Sequence, residues 1–295
     1  MRHGMVVASV IEAAVLTGCA GTRTATTTPG TQVTTHEECV SDAALPKELL
    51  TAGSVVLFGE MHGVKELPWF FGEAVCSTAK SSLPVAVGLE IPASDQASIS
   101  AFLDSAGQSS DVEELLKSKF WSGEDGRPSE ARVDLLQRLR HMRAAGLRVR
   151  VFPFDMIAGE SAAERDKNMA LKIAEQAHSH PNELTMVLVG DLHAWKTKGT
   201  PWDKDFVPMG WYLENSGARV YSLGRSTPEG TAWTCVMGQN SCGLGPAPAY
   251  HPLPSGRTSG IEMLPTPSWR GNDGQYAVST LTASPPASQS HQQPK

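Results

Sequence analysis

The sequence has no long run of lysine or arginine, and its 295 residues carry a formal net charge of -6. Proteins that bind nucleic acid are usually basic overall or have a basic face, so this balance argues against a nucleic-acid partner. Charged residues make up 19% of the chain and hydrophobic residues 40%. The composition is that of a globular protein long enough to bury one substantial core.

Several motifs of familiar enzyme classes are also missing. No GxSxG elbow is present, which argues against a serine hydrolase of that kind. The sequence has no GxxxxGK[ST] phosphate loop and no GxGxxG after its first apolar run, so nucleotide chemistry lacks support. No CxxC pair occurs, and the cysteine spacings do not match those of a zinc ribbon.

The N-terminus resembles a lipoprotein signal. Arg2 and His3 precede an apolar stretch that ends in LTGC, so we expect a signal peptide over residues 1–18 and a lipid on Cys19. The alternative is an ordinary apolar helix that happens to hold a cysteine, although the stretch is too short to span a membrane. Residues 19–38 would then be a flexible Thr-rich linker, and the lipid would anchor the chain in the cell envelope. We expect the outer membrane, on its periplasmic side.

Four cysteines remain after Cys19. In an exported protein this number predicts two disulfides. Cys235 and Cys242 enclose a short loop rich in turn residues, which favours pairing between them. Cys39 and Cys76 would then tie the N-terminal segment to the first helix.

Short apolar runs alternate with stretches of helical periodicity along most of the chain. This order predicts an α/β fold, with a mostly parallel central sheet flanked by helices and a site at the C-terminal strand ends. One such domain is expected over residues 39–287, with no regular structure at 244–268 and a disordered tail at 288–295. The predicted strands are 54–59, 84–89, 147–154, 183–189, 219–223 and 275–281.

Each of the four strongest strands is followed by an acid, and two of these acids carry a histidine two residues later. An acid in this place can simply cap the next helix. Ligands, however, bind outside the carboxyl ends of the strands in an open parallel sheet, so the sequence predicts one shared cleft. The acids are Glu60, Glu90, Asp155 and Asp191, and the histidines are His62 and His193.

Two imidazoles and several carboxylates can hold a divalent metal such as zinc, manganese or cobalt, which would activate a bound water. Without a metal, a histidine oriented by a carboxylate can act as general base on water. Arg165 lies early in the helix that follows Asp155 and could bind an anion or a substrate carboxylate by a bidentate contact. Asp155 and Asp191 are the other residues expected to bind substrate. A surface ion pair is the alternative for Arg165.

The segments GEMH, GLEIP, GLRVRVFPFD, ERDKNMA and VLVGDLHA, in this order, resemble a superfamily that joins ChaN-type haem-uptake lipoproteins, erythromycin esterases and Tiki/TraB proteins. The mark of that superfamily is a pair of GxxH motifs at strand ends with an intervening glutamate. These are Gly59–His62, Gly190–His193 and Glu90 in this chain, and the resemblance spans about residues 54 to 225.

The resemblance implies a different function for each branch. The esterase branch implies that Glu60 and His62 activate water, and the Tiki branch implies that His62, His193 and Glu90 hold a metal. The ChaN branch implies haem binding without turnover, which the four tyrosines of this chain, none of them in the motifs, support poorly. Our leading interpretation is therefore a hydrolase of a small-molecule or peptide ester or amide, with Glu60, His62, Glu90 and His193 as catalytic residues. Binding of haem or another iron compound is the alternative.

Overall fold

The computed structural model describes Met1 and residues 39–155, 162–235 and 241–290. Apart from Met1, the predicted signal peptide and linker lie outside the described residues, and Cys19 lies there with them. Residues 291–295 of the predicted tail lie outside as well. Within the described part, no helix is both long enough and apolar enough to cross a membrane.

Seven of the nine described strands form one sheet in the order β3-β2-β4-β1-β5-β9-β8. Neighbouring strands of this sheet run parallel except β8, which pairs antiparallel with β9. Two further strands, β6 and β7, form a separate antiparallel hairpin. The strands are β1 Ser54–Glu60, β2 Val85–Pro92, β3 Val149–Asp155, β4 Leu184–Gly190, β5 Arg219–Ser226, β6 Gly230–Cys235, β7 Cys242–Ala247, β8 Gly260–Met263 and β9 Gly274–Ala277.

Helices cover both faces of the sheet, which confirms the predicted fold class. Successive side chains of a strand point to opposite faces, so each strand contributes to two cores. Val56 and Phe58 of β1 belong to the core that contains α1, α2 and α4, and Val55 and Leu57 belong to the core that contains α5 and α6. The helices are α1 Glu66–Lys80, α2 Gln96–Asp104, α3 Ser109–Leu115, α4 Glu130–Ala144, α5 Ala162–Ser179, α6 Met209–Glu214 and α7 Ala287–Ser290.

The C-terminal third is more regular than its composition indicates. The prediction of no regular structure over 244–268 is wrong, since most of β7 and all of β8 lie there. Both strands pair antiparallel with a neighbour, and this pairing outweighs the low strand propensity of Gly, Pro and Ser. Residues 288–290, predicted as part of the tail, belong to α7.

Both predicted disulfides are present. Cys39 is bonded to Cys76 of α1, and Cys235 is bonded to Cys242. The second bond joins the end of β6 to the start of β7, so it closes the hairpin at one end. Residues 236–240, between these two strands, lie outside the described residues.

Candidate active site

The order of the strands brings the predicted site residues to one edge of the sheet. The chain passes from β1 to β2 and β3, returns to place β4 between β1 and β2, and then crosses β1 to form β5. The ends of neighbouring strands are level, because Glu60 pairs with Gly190 and Pro92 pairs with Asp155. A reversal of this kind opens a crevice outside the carboxyl ends of the strands.

His62 lies between two buried carboxylates. Its Nδ1 is 3.3 Å from Oε1 of Glu60, and its Nε2 is 3.5 Å from Oε2 of Glu90. The imidazole is 23% exposed, whereas each carboxylate is 1% exposed. His62 is therefore the member of this trio that a ligand can reach.

Arg132 of α4 stands behind Glu60. Its Nη2 donates to Oε1 of Glu60, and both side chains are almost completely buried. Burial alone would raise the pKa of Glu60, but Arg132 and then His62 outweigh it, and the net shift is downward. The sequence analysis missed Arg132, although a charged residue among the apolar positions Leu135, Leu136 and Leu139 of an amphipathic helix is a signal that could have found it.

Glu90 receives donors from three directions. The backbone N–H of Gly190 donates to Oε2 over 2.8 Å, Nη2 of Arg165 donates to Oε1 over 2.6 Å, and Nη1 of Arg127 lies 3.8 Å from Oε1. Burial alone would raise the pKa of Glu90, but His62 and these two guanidinium groups hold it far below its usual range. These neighbours therefore favour the ionised form of the carboxylate.

Arg165 links Glu90 to Asp155. Its Nε and Nη2 bind the two carboxylate oxygens of Asp155 over 2.8 and 2.9 Å, which is a bidentate contact. Arg127 adds a third bond to Asp155, from Nη1 to Oδ2 over 2.8 Å. Arg165 is thus part of an internal ion-pair network rather than of a surface pair, and its predicted role in binding a substrate stays a prediction.

His193 is held by two charged neighbours. Nη1 of Arg165 lies 3.1 Å from its Nε2, and Oδ1 of Asp166 lies 2.8 Å from its Nδ1. A guanidinium can only donate, so Nε2 accepts and the Nδ1–H group donates to Asp166. Asp166 also accepts the backbone N–H of Met209 over 2.7 Å, at the start of α6. The sequence analysis missed Asp166, although it follows Arg165 within ERDKNMA.

The glycine of each GxxH motif makes room for a side chain of the other motif. A Cβ atom on Gly190 would lie 2.9 Å from Nε2 of His62 and 3.4 Å from Cδ2 of His193. A Cβ atom on Gly59 would lie 2.8 Å from Oδ1 of Asp191. Only glycine allows so close an approach, which explains why both motifs begin with this residue.

Asp191 contacts a different set of residues from the other three acids. Its Oδ2 accepts the hydroxyl of Tyr250 over 3.1 Å. Burial raises the pKa of Asp191, although the charges of Arg225 and Arg270 work in the opposite direction. The predicted substrate-binding set is therefore divided, with Arg165 and Asp155 in one group and Asp191 in another.

The arrangement does not fit a metal ion. Among the residues that the structure describes, no group of three or more His, Cys, Asp or Glu side chains is placed to hold one. Of the predicted ligands His62, His193 and Glu90, the last two both contact the guanidinium of Arg165. A fixed positive charge at this position repels a divalent cation, so the predicted metal site is not supported.

The fold places the chain among α/β proteins whose solved structures include an erythromycin esterase. A mutant of the erythromycin esterase EreC in its open conformation superposes with a TM-score of 0.55 at 12% identity, over 81% of this chain and 93% of that chain. A protein from Bacillus cereus gives 0.56 at 11% identity, over 84% and 96% of the two chains. A succinoglycan biosynthesis protein gives 0.55 at 10% identity, over 83% and 94%.

These likenesses confirm the predicted resemblance to the erythromycin esterases at the level of the fold. No protein-family model matches the sequence, and no curated protein matches it. The roles of Glu60, His62, Glu90 and His193 therefore rest on the geometry of the site.

Proposed function

We propose that the chain is a hydrolase in which His62 activates a water molecule against an ester or amide of a small molecule or peptide. The observation that carries this proposal is the position of His62, partly exposed between the buried carboxylates of Glu60 and Glu90. A general base needs a ring that water can reach and a carboxylate that orients it; the imidazole of His62 is 23% exposed, and Glu60 lies 3.3 Å from its Nδ1. The fold that the chain shares with an erythromycin esterase is compatible with this chemistry.

The proposed reaction uses one imidazole as base and then as acid. Neutral His62 takes a proton from water while the oxygen of that water forms a bond to the carbonyl carbon. The tetrahedral intermediate then expels the alcohol or amine, which takes the proton back from His62. Arg127 and Arg165, both partly exposed beside Glu90, place positive charge where the oxyanion develops.

The pH dependence of activity follows from the charges around His62. Burial alone would lower the pKa of His62, but Glu90 and Glu60 outweigh it, and the net shift is upward. Because the base must be neutral, kcat/KM should rise with pH to a midpoint above about 6.5, the ordinary value for histidine. Rate profiles on wild type and Glu60→Gln check this, since the variant lacks one carboxylate and should have a lower midpoint. A wild-type midpoint at or below that value contradicts the assignment.

The same shift links pH to stability. A group whose pKa is raised by folding stabilises the protein below its unfolded pKa, and this stabilisation is lost as pH rises through the folded pKa. The difference in unfolding free energy between wild type and His62→Gln should therefore be largest below about pH 6.5 and should decrease above it. Urea unfolding at a series of pH values measures that difference.

A substrate panel tests the proposed activity itself. Neutral and anionic esters and amides should be incubated with the purified chain in the presence of a chelator, and the released acid measured. Turnover that survives chelation supports a base that needs no metal. Turnover that appears only after addition of zinc, manganese or cobalt contradicts it and would favour the metal interpretation.

Haem or iron-compound binding without turnover is the second candidate. An axial histidine or tyrosine and an apolar slot are its requirements. His251 is exposed and, together with Pro228, Pro252 and Val278, lines a cavity of about 480 Å³, and this is the observation in its favour. Titration with haemin decides between the outcomes, since a Soret shift that is lost in His251→Ala supports binding and an unchanged spectrum rejects it.

We also propose that the protein acts in the cell envelope, anchored through a lipid on Cys19 and facing the periplasm from the outer membrane. The LTGC motif motivates this location, and the two disulfides support an oxidising compartment. Metabolic labelling with a fatty acid tests it. Label on wild type and not on Cys19→Ser supports the anchor, and unlabelled wild type rejects it.

A further inference from the structure

A second cluster of charged and aromatic side chains lies beside the GxxH site and takes no part in the proposed reaction. A cavity of about 150 Å³, which we call the arginine pocket, is lined by Arg225, Tyr250, His251, Trp269 and Arg270 among others. Its link to the strand ends is Asp191, which accepts the hydroxyl of Tyr250. Asp191 and His193 belong to the same short turn after β4, so this turn links Tyr250 of the arginine pocket to the proposed active site.

Aromatic rings hold the two guanidinium groups in place. Cζ of Arg225 lies 4.0 Å from the ring centroid of Tyr250, and Cζ of Arg270 lies 4.7 Å from the same centroid. Arg270 also lies 4.7 Å from the ring of Trp195 and 4.6 Å from that of Trp269. Contacts of this kind fix the planes of the guanidinium groups without using their N–H donors.

The positive charge of the arginine pocket is not balanced by carboxylates at contact distance. In the described part of the chain, neither Arg225 nor Arg270 forms an ion pair, and Nε of each is buried without a hydrogen-bond partner. Arg225 donates to Oγ1 of Thr227, a neutral acceptor. A guanidinium carries five N–H donors, so the pair has donors to offer to a bound anion.

The pKa shifts of Arg225 and Arg270 agree with their lack of carboxylate partners among the described residues. Burial lowers the pKa of Arg225 and of Arg270, and the charge of Asp191 only partly offsets it. An added anion would therefore stabilise both arginines. Both residues are partly buried, and an unpaired charge that is partly withdrawn from water is stabilised by a bound oxyanion.

We propose that the arginine pocket binds the anionic group of a small-molecule ligand, a carboxylate or a phosphate, through Arg225 and Arg270. The neighbouring cavity of about 480 Å³ shares Tyr250 and His251 with the arginine pocket and holds the body of the ligand. Trp269, which is exposed, packs against a ring adjacent to the anionic group. This inference goes beyond the proposed hydrolysis and does not depend on it.

Binding is tested on the full chain with four probes: acetate, benzoate, inorganic phosphate and phenyl phosphate. Calorimetry gives the affinity. Quenching of tryptophan fluorescence, compared between wild type and Trp269→Ala, shows whether the probe lies close to Trp269. Arg225→Gln and Arg270→Gln should each weaken binding of the preferred probe by about tenfold or more, as expected for charge-assisted hydrogen bonds. A preference for benzoate identifies a carboxylate ligand, and a preference for phenyl phosphate identifies a phosphate ligand.

Arg143→Gln is the matched control. Arg143 of α4 lines neither cavity and pairs with Asp104, and its side chain is 33% exposed, so its loss changes net charge equally without touching the proposed binding site. The affinity should stay within about twofold of wild type, as expected for an exposed pair. Equal losses in all three arginine variants would show non-specific attraction and overturn the proposal, as would the absence of binding by every probe.

Two further variants keep the result interpretable. Trp269→Ala leaves both arginines in place and should weaken benzoate and phenyl phosphate but not acetate or inorganic phosphate. His62→Gln should bind the probes as wild type does. If the wild-type protein binds the probes but turns over no ester or amide, the hydrolase proposal is rejected and the arginine pocket is kept. If it shows turnover but binds no probe, the hydrolase proposal is kept and the arginine pocket is rejected.

Discussion

Replacing His62 by glutamine should lower kcat/KM for an ester or amide substrate by about 10²- to 10⁴-fold, the usual contribution of a general base. Glutamine is close in size to histidine and can donate to Glu60, but it cannot accept a proton from water. The carboxylates of Glu60 and Glu90 are buried and face arginines, so neither can take over the role. Initial rates on the best substrate of the panel, with the unfolding midpoint of each variant measured in parallel, check this expectation.

His193→Gln is the informative comparison for the first prediction. Nε2 of His193 accepts from Arg165, and its Nδ1–H donates to Asp166, so this ring is not free to accept a proton. We expect a smaller loss than in His62→Gln, arising from displacement of Arg165 beside Glu90. Equal losses in the two variants would mean that the histidines act as a unit, and an unaffected His62→Gln would remove the hydrolase proposal.

Replacing Arg132 by methionine should destabilise the protein by about 3–5 kcal/mol, the usual effect of removing one partner of a buried ion pair. Arg132 and Glu60 are 2% and 1% exposed, so the variant leaves a buried carboxylate without its arginine partner. The pKa of Glu60 is lowered in the folded protein, so this carboxylate contributes stability that is lost as pH falls through that pKa. The loss of unfolding free energy in Arg132→Met relative to wild type should accordingly be smaller in acid. Urea unfolding at neutral pH and near pH 4 measures both effects.

Arg143→Met is the control for the second prediction. Arg143 lies on the same helix, α4, and pairs with Asp104, but these side chains are 33% and 65% exposed. Its replacement should cost about 0–1 kcal/mol, the range for surface pairs. The double variant Glu60→Gln/Arg132→Met should be more stable than Arg132→Met alone, because it removes the unpaired charge. If the free energy of unfolding of Arg132→Met lies within about 1 kcal/mol of the wild-type value, another group must balance the charge of Glu60.

The sheet could be predicted because its signals are local. The run VVLFG at 55–59 is apolar at every position, as expected for a strand covered on both faces, and β1 is buried throughout. β4 is also buried throughout and is apolar apart from Thr185, and the alternation of such runs with helical periodicity indicates parallel order. β7 and β8 could not be predicted in this way, because their composition is that of a loop and only their antiparallel partners stabilise them.

The acids and histidines of the site could be named from the sequence, but their partners could not. Glu60 and Arg132 are 72 positions apart, and Glu90 and Gly190 are 100 apart. Arg165 illustrates the limit, since its sequence environment left substrate binding and a surface pair open. The structure shows a third arrangement, in which its guanidinium joins Asp155, Glu90 and His193.

The sequence by itself determined the α/β class, the Cys235–Cys242 disulfide and the presence of Glu60, His62, Glu90 and His193 at strand ends, because each follows from local periodicity or short spacing. The Cys39–Cys76 disulfide followed as the pair that remained. Only the tertiary structure decided that arginines stand where a metal was predicted, and that Asp191 faces Tyr250 and the arginine pocket. Charge compensation inside a protein depends on which distant side chains the fold brings within a few ångströms, and no local pattern encodes those distances.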